Sequence, residues 1–407
     1  MKILFLLPSL PDPPDAGAKL RNLALIRAAA AHHDVDVLAF HGRDVDGGAR
    51  LHACHLVRTV PLPDPRGPAR RAWGLLTDQA PDLARRLESG AFATALREIL
   101  ESSRYDVVQI EGLEMMPYLH VVQTFAPRAA IVYDAHNAEM WLQRTIFQAE
   151  LRDPARWPAA LYAMAQWSKL GSYERIMMNE TSLVLAVSEV DAGKLKGRRV
   201  SPEIVPNAVD TSGMPFREPR PEPNDTLFFA GSLAYRPNAD AVRWLTRSVL
   251  PLVRARLPRV RLRLAGRGTE RIRGDGVEPL GYVEDIGSEL ARADVAVVPM
   301  RMGSGVRFKV LEAMAAGVPV VSTTLGISGV SAQPGRHVLI ANRPSEFAEA
   351  VAKVIEDRAL ARSLAIQARQ LVENRYDWDR VTPVYLRLLS NVRRGRKRAD
   401  GVLRRRG

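Results

Sequence analysis

The stretch Met302-Gly303-Ser304-Gly305-Val306-Arg307-Phe308-Lys309-Val310-Leu311-Glu312 combines residue types that suit one kind of chemistry. An apolar strand ends near Pro299, and small residues then lead into a helix expected from about Gly305. Backbone N–H groups at a helix start have no partner within the helix and favour an anion such as a diphosphate. Lys309 and Glu312 are three apart and share a helix face. The lysine supplies a cation for phosphate, and the glutamate a carboxylate for a ribose diol. A glycine-bounded helix with an ordinary surface Lys–Glu pair would use the same residues, and local pattern alone leaves both readings open.

His136, in Tyr133-Asp134-Ala135-His136-Asn137-Ala138-Glu139, lies just past the carboxyl end of an apolar run, where sites of parallel α/β sheets collect. Asp134, Asn137 and Glu139 are also suited to capping the next helix. His52, Cys54 and His55 look metal-like, but on a strand they would alternate faces, and no second ligand pair follows. Gly266-Arg267-Gly268 lacks the rest of a dinucleotide fingerprint. With no Asp-x-Asp cluster at a loop no metal is expected, and with no P-loop lysine motif and no complete dinucleotide fingerprint no other cofactor is expected either. Trp141, Trp157 and Trp167 read as packing, or as a lipid or acceptor surface.

These residues need a scaffold of parallel strands. Met1 to Leu7 is a near-continuous apolar run, as in a strand buried on both faces. A Pro-rich loop to Gly17, a helix and a strand over Val35–Phe40 complete a βαβ opening. Further strands are expected at 106–110, 130–133 and 182–187, with a long helix over about 156–180. The pattern restarts near Pro206, and 215–224 reads as a linker. New strands follow at 226–230, 261–265, 293–299 and 319–322. The fold class expected is α/β, two Rossmann-like domains facing each other across a cleft that holds the ligands.

Length and charge bound the rest. The 407 residues suit two cores, and 46% are apolar. No segment reaches the roughly 20 apolar residues of a spanning helix. One cysteine excludes an internal disulfide, so a cytoplasmic setting is expected, with the option of contact at the inner face of the membrane. The net charge is +13. Much of it sits in Arg393, Arg394, Arg396, Lys397, Arg398, Arg404, Arg405 and Arg406, a tail read as disordered over 393–407. That tail, with Arg70, Arg71, Arg85 and Arg86 around Trp73, Leu75 and Leu76, could meet anionic lipid. Nucleic acid is disfavoured, because the charge forms no stripe interleaved with aromatics.

The segment Met302 to Val321 resembles the donor-binding segment of retaining glycosyltransferases of family 4, which have the GT-B fold. Their pattern is a Glu, seven residues, a second Glu, then Ala-Met-Ala-x-Gly-x-Pro-Val-Val. Glu312 and Ala313 to Val321 match it, whereas the first Glu falls on Ser304. Gly231-Ser232-Leu233-Ala234-Tyr235-Arg236-Pro237-Asn238, Gly281-Tyr282-Val283-Glu284-Asp285 and Pro206-Asn207-Ala208-Val209-Asp210 resemble other family loops. The resemblance implies a nucleoside-diphosphate sugar as donor and a hydroxyl acceptor that is a glycan, lipid-linked or small. It implies Arg236 and Lys309 on the diphosphate, Val283 on the base through backbone groups, and Glu312 on the ribose. Gly303, Ser304 and Gly305 line the donor, His136 bonds the transferred sugar, and Gly17, with Lys19 nearby, lets backbone approach that sugar. The domains implied are an acceptor-side domain over 1–205, a donor domain over 206–375 and a helix over 376–392 able to pack back on the first.

Retention without paired carboxylates implies front-face attack, with charge on the leaving diphosphate stabilised by Arg236, Lys309 and the helix start. Glu111, after the strand 106–110, is an acceptor-site candidate. The alternatives are a nucleotide-sugar epimerase or hydrolase on the same fold, a basic nucleic-acid-binding protein, or a degenerate transferase that scaffolds a pathway.

Overall fold

A computed structural model describes residues 1–42, 49–151, 154–195 and 200–404, with backbone alone at 68, 72, 75, 76 and 395–404. The chain divides into two compact units, Met1–Pro206 with Thr382–Gly407, and Asn207–Val381.

Unit 1 is built on seven strands: β1 (Lys2–Leu7), β2 (Asp34–His41), β3 (Leu56–Pro61), β4 (Val107–Glu111), β5 (Ala130–Ala135), β6 (Leu183–Ala186) and β7 (Glu203–Ile204). They lie in the order β3-β2-β1-β4-β5-β6-β7, and every pairing is parallel. Unit 2 has β8 (Thr226–Ala230), β9 (Arg261–Ala265), β10 (Val277–Gly281), β11 (Val295–Val298), β12 (Val320–Ser322) and β13 (Leu339–Ile340). Its order is β10-β9-β8-β11-β12-β13, again parallel throughout. Each unit is a Rossmann-like domain. Strand order reverses between β1 and β4 and between β8 and β11, which opens a crevice at the carboxyl ends of those strands.

Burial explains the central strands. All five residues of β4 and all six of β5 are buried, as expected where helices cover both faces. The helix Gly90–Ser102 buries Phe92, Ala95, Leu96, Ile99 and Leu100, a single stripe at helical spacing. Ser89 caps it by accepting from the Phe92 N–H at 3.3 Å. Phe92 stacks on Phe40 with centroids 4.5 Å apart and meets Tyr118 at 4.4 Å. The Tyr118 hydroxyl donates to the Leu87 carbonyl at 2.6 Å, so its polar end is satisfied inside the core.

Four sequence expectations need correction. His52, Cys54 and His55 precede β3 in a turn, so alternation along a strand does not apply to them; His55 Nδ1 lies 3.0 Å from Asp36, and burial raises the Cys54 thiol to about 11. The 215–224 stretch belongs to unit 2: Arg217 N–H donates to Ala316, Arg220 to Ala291, and Arg358 to the Arg220 carbonyl. Its prolines keep it extended, and its charges find partners along that unit. Of the tail expected to be disordered from Arg393, residues 393–404 continue the last helix, Trp378–Arg404, despite Gly395 and Gly401. The side chains of 395–404, and Arg405 and Arg406 entirely, lie outside the described residues. The helix expected from about Gly305 spans Phe308–Ala316. Gly303 and Gly305 stand at φ +134° and +77°, which a right-handed helix excludes, so the loop extends to Arg307.

Replacing Phe92 with alanine should remove about 3–5 kcal/mol from unit 1. Chemical denaturation followed by tryptophan fluorescence reads the loss, and a change under 1 kcal/mol would show that the aromatic stack is not central to this core.

Candidate functional site

The β8/β11 crevice of unit 2 gathers most of the expected donor residues. The loop after β8 runs from Gly231 to Tyr235, and Arg236 is the first residue of the helix Arg236–Trp244. Two side chains of that helix fix it to the segment after β11. Asn238 accepts from Lys309 Nζ at 2.9 Å and donates to the Ser232 carbonyl at 2.9 Å. Asp240 forms a two-point ion pair with Arg301, Nε–Oδ2 3.0 Å and Nη2–Oδ1 2.6 Å. A Cβ on Gly231 would stand 2.9 Å from Lys309 Nζ and closer still to Asn238, so a larger residue would displace the lysine.

Lys309 Nζ also lies 4.1 Å from the centroid of the Phe229 ring. Burial, with Arg307 nearby, pulls its pKa down to about 7, against a smaller opposing pull from Glu312. Burial raises Glu312 to about 7, and Lys309 offsets only part of this. Among the described residues the Glu312 carboxylate makes no hydrogen bond. It lines a small pocket with Lys309, Ala230, Ile286 and Val298. A cation and a carboxylate are thus both held half-dry at the ends of the central strands. That arrangement is costly without a ligand and useful with one.

The loop Gly303-Ser304-Gly305 precedes the helix Phe308–Ala316, and Asn207 anchors it by donating to the Val306 carbonyl at 2.9 Å. Arg236 is half-buried, and desolvation lowers its pKa. Val283 follows β10 and is half-buried between exposed Tyr282 and Glu284; Arg267 stacks over the Tyr282 ring at 5.3 Å.

In unit 1, His136, Glu111 and the start of the helix Gly17–Ala30 meet at the β1/β4 reversal. Gly17 opens that helix, and Lys19 pairs with Asp15 at 2.9 Å. Arg21 is 1% exposed and grips Asp134 with Nε–Oδ2 2.7 Å and Nη2–Oδ1 2.8 Å. It also donates to the Val205 carbonyl at 2.8 Å. His136 Nε2 lies 2.8 Å from Glu111 Oε2. Burial and the neighbouring Asp134 raise Glu111, against the pull of His136. Burial pulls His136 down, but its hydrogen bond to Glu111 and the charge of Asp134 raise it overall.

Ligand atoms of Glu111, Asp134 and His136 lie within 4.8 Å of one another, close enough to share an ion. The donor set fits a metal poorly. Both Asp134 oxygens accept from Arg21, one Glu111 oxygen accepts from Gln109, and the other lies 2.8 Å from His136 Nε2. A dication would have to displace a buried arginine. The trio is an ion-pair network with its own cation.

Sequence reasoning missed Asn238, the Asp240–Arg301 pair, the anchoring by Asn207, and the partners of Glu111. Gln109 did carry a signal, being an amide within an apolar strand and so in need of a buried partner. The expected residues fall into two sets, His136, Gly17, Lys19 and Glu111 in unit 1 and the rest in unit 2.

Glu312 gives a pH test. Its folded pKa is raised from 4.5 to about 7, so its ionised form is disfavoured by folding. The penalty is absent below pH 4.5 and grows as pH rises through 7. Without ligand, Glu312→Gln should melt at a higher temperature than wild type at pH 8, with the gap closing toward pH 5. Equal melting at pH 8 would mean that this carboxylate is not desolvated.

Comparisons with known proteins agree with the fold. Residues 16–212 match the family model described as Glycosyltransferase Family 4, and residues 224–357 match Glycosyl transferases group 1. An uncharacterized 44.6 kDa protein in the cps region of Klebsiella pneumoniae is 21% identical over 93% of this chain and 97% of its own length. Glycogen synthase of Mycobacterium tuberculosis is 30% identical over 48% of this chain and 49% of that protein, so this match spans about half of each. The crystal structure of Anabaena HepE in complex with UDP-glucose superposes with a TM-score of 0.65 at 17% identity, covering 96% of this chain and all of that one. Two Rossmann-like units, a family 4 match on the first and a group 1 match on the second make the chain a glycosyltransferase of the GT-B fold.

Proposed function

We propose that the chain transfers a sugar, with retention and without a metal, from a nucleoside-diphosphate sugar to a hydroxyl acceptor. The reading rests above all on the half-dry Lys309–Glu312 pair beside the Gly303–Gly305 loop. Lys309 and Arg236 meet the diphosphate, Glu312 accepts from the ribose hydroxyls, and backbone at Val283 meets the base. Ser304 offers one hydroxyl where the family has a carboxylate, so backbone at Gly303 and Gly305 carries more of the sugar contact. His136 bonds the transferred sugar, and Gly17 lets backbone come near it. The bond from the sugar's anomeric carbon to the phosphate oxygen breaks as the acceptor oxygen bonds that carbon on the same face. The departing phosphate oxygen takes the acceptor's proton. The Anabaena structure in complex with UDP-glucose supports a nucleotide-sugar donor. The acceptor belongs to polysaccharide, glycolipid or glycosylated natural-product synthesis.

A thermal-shift screen of nucleotide sugars identifies the donor. Glu312→Ala should then weaken its binding by about 1.5–3 kcal/mol, the worth of a hydrogen bond to a charged group. Lys309→Ala and Arg236→Ala should lower turnover more than they lower stability. Unchanged affinity in the first, near-wild-type turnover in the other two, or activity that a chelator abolishes and Mg²⁺ restores, would each reject the assignment.

A second reading concerns a membrane surface, and exposed apolar residues favour it. Trp73 is 68% exposed on the helix Pro68–Thr77, and Trp157, Leu161 and Met164 are exposed at helical spacing on Trp157–Asn179. The two helices touch, since Arg71 bonds the Tyr162 hydroxyl at 3.1 Å. The neighbouring arginines are less available than the sequence suggests. Arg71 pairs with Asp82, Arg85 with Glu88 and Arg86 with Glu114, while the side chains of Leu75 and Leu76 lie outside the described residues. No described helix is long and apolar enough to cross a membrane. We therefore place the contact on the tryptophans, with the basic tail adding charge. Sedimentation with anionic vesicles should fall on Trp73→Ala with Leu161→Ala, and fall further on truncation after Ser390. No sedimentation of the intact chain would remove the membrane from the account.

A further inference from the structure

β4 carries two polar side chains, Gln109 and Glu111, on one face and fully buried. Their hydrogen bonds form one line. The Tyr385 hydroxyl donates to Gln109 Oε1 at 2.7 Å, and Gln109 Nε2 donates to Glu111 Oε1 at 2.6 Å. The other Glu111 oxygen meets His136 Nε2 at 2.8 Å. Tyr385 is fully buried and belongs to the part of the last helix that lies in unit 1. It is 276 residues from Gln109 in sequence, so only the fold brings them together.

The polarity of the line matters. A hydroxyl donating from one side and a carboxylate accepting on the other hold the Gln109 amide in one orientation. Reversed, its oxygen would face the Glu111 carboxylate. With its nitrogen toward the pair, Asn22 stands 2.9 Å from Glu111 Oε2 and 3.1 Å from His136 Nε2, and the carboxylate is the stronger acceptor of the two. Two amide donors favour the ionised Glu111, and against an ionised carboxylate His136 Nε2 is the donor, which leaves Nδ1 as the nitrogen for a ligand.

We propose that the last helix, through Tyr385 and Gln109, sets the orientation and proton of the Glu111–His136 pair, making Tyr385 and Gln109 positioning residues for His136. The catalytic consequence rests on the reading that His136 bonds the transferred sugar. The other charged groups facing the imidazole are Asp134 at 3.9 Å on β5, Arg21 on the helix Gly17–Ala30, and Glu139 at the start of the helix Glu139–Glu150. None of them lies on the Tyr385 line, so variants at Tyr385 and Gln109 leave those groups in place.

The test reads His136 directly. The intact protein is labelled with ¹⁵N-histidine, the His136 signals are assigned by their loss in His136→Ala, and the imidazole is titrated. Losing the amide donor makes Glu111 easier to protonate and so weakens its hold on the imidazolium. In Tyr385→Phe and Gln109→Met the His136 midpoint should fall by several tenths of a pH unit, less in the first. The double variant should match Gln109→Met alone, because one line is cut twice. Turnover on the donor found above should fall about 3- to 10-fold in Tyr385→Phe, with donor KM nearly unchanged. Tyr385→Phe keeps the ring, and its melting temperature shows whether the fold survives; Gln109→Met is the second variant. Unmoved midpoints in folded variants would overturn the proposal, as would additive effects in the double variant. Full turnover in His136→Ala would instead sink the assignment of His136 to the sugar, with the titration still deciding the relay.

Discussion

The Arg21–Asp134 ion pair is the constraint around which unit 1 is arranged. Glu111 on β4 and Asp134 on β5 are register partners, so two carboxylates stand side by side at the carboxyl ends of central strands. Neither has measurable exposure. Two such anions in a dry site repel, and each costs several kcal/mol to desolvate unless a cation answers it. Arg21 answers Asp134 with two parallel bonds, and His136 answers Glu111. Arg21 can do this only if the helix Gly17–Ala30 starts where it does. That fixes the loop after β1, and the third arm of the same guanidinium holds the Val205 carbonyl near the end of unit 1. The position of Gly17 and the ring plane of His136 are consequences of one buried charge balance.

Unit 2 treats charge in the opposite way. Lys309 and Glu312 are desolvated with no ion pair among the described residues to settle them, and both are pushed toward neutrality near pH 7. Evolved stability tends to be given up where a ligand will later supply the missing partner. A diphosphate and a ribose diol would supply both partners here, an anion for the lysine and donors for the carboxylate. Unit 1 closes its charges internally and presents an oriented imidazole, while unit 2 leaves its charges open.

The central strands were legible in the sequence because each is an apolar run bounded by turns. Thr226–Ala230 and Arg261–Ala265 fall where the pattern puts them. The strands that escaped, β3, β7, β10 and β13, are sheet edges or short. β3 alternates exposure along Leu56–Pro61, and β7 is two exposed residues, so neither shows a continuous apolar signal. Lys309, Glu312, Arg236 and His136 could be named as candidates because their motifs are local. The start of the Lys309 helix was misplaced by three residues because positive φ at two glycines is not written in hydrophobic pattern. Tyr385 had no local signal at all, since its meaning depends on where a helix near the chain's end comes to lie.

The neutral amides share a physical role that charged residues could not fill. Asn238 accepts from Lys309, Asn207 holds the Val306 carbonyl, and Gln109 donates to Glu111. Each fixes a group at a strand end without adding charge. An aspartate in place of Asn238 would hold Lys309 equally well in geometry, but it would cancel the lysine's charge as seen by a phosphate. A glutamate in place of Gln109 would put a third anion beside Glu111 and Asp134. Where a charged group must keep its charge or its proton, the residues that set its geometry must be electrically silent. That requirement accounts for amides at these three positions better than any demand of packing.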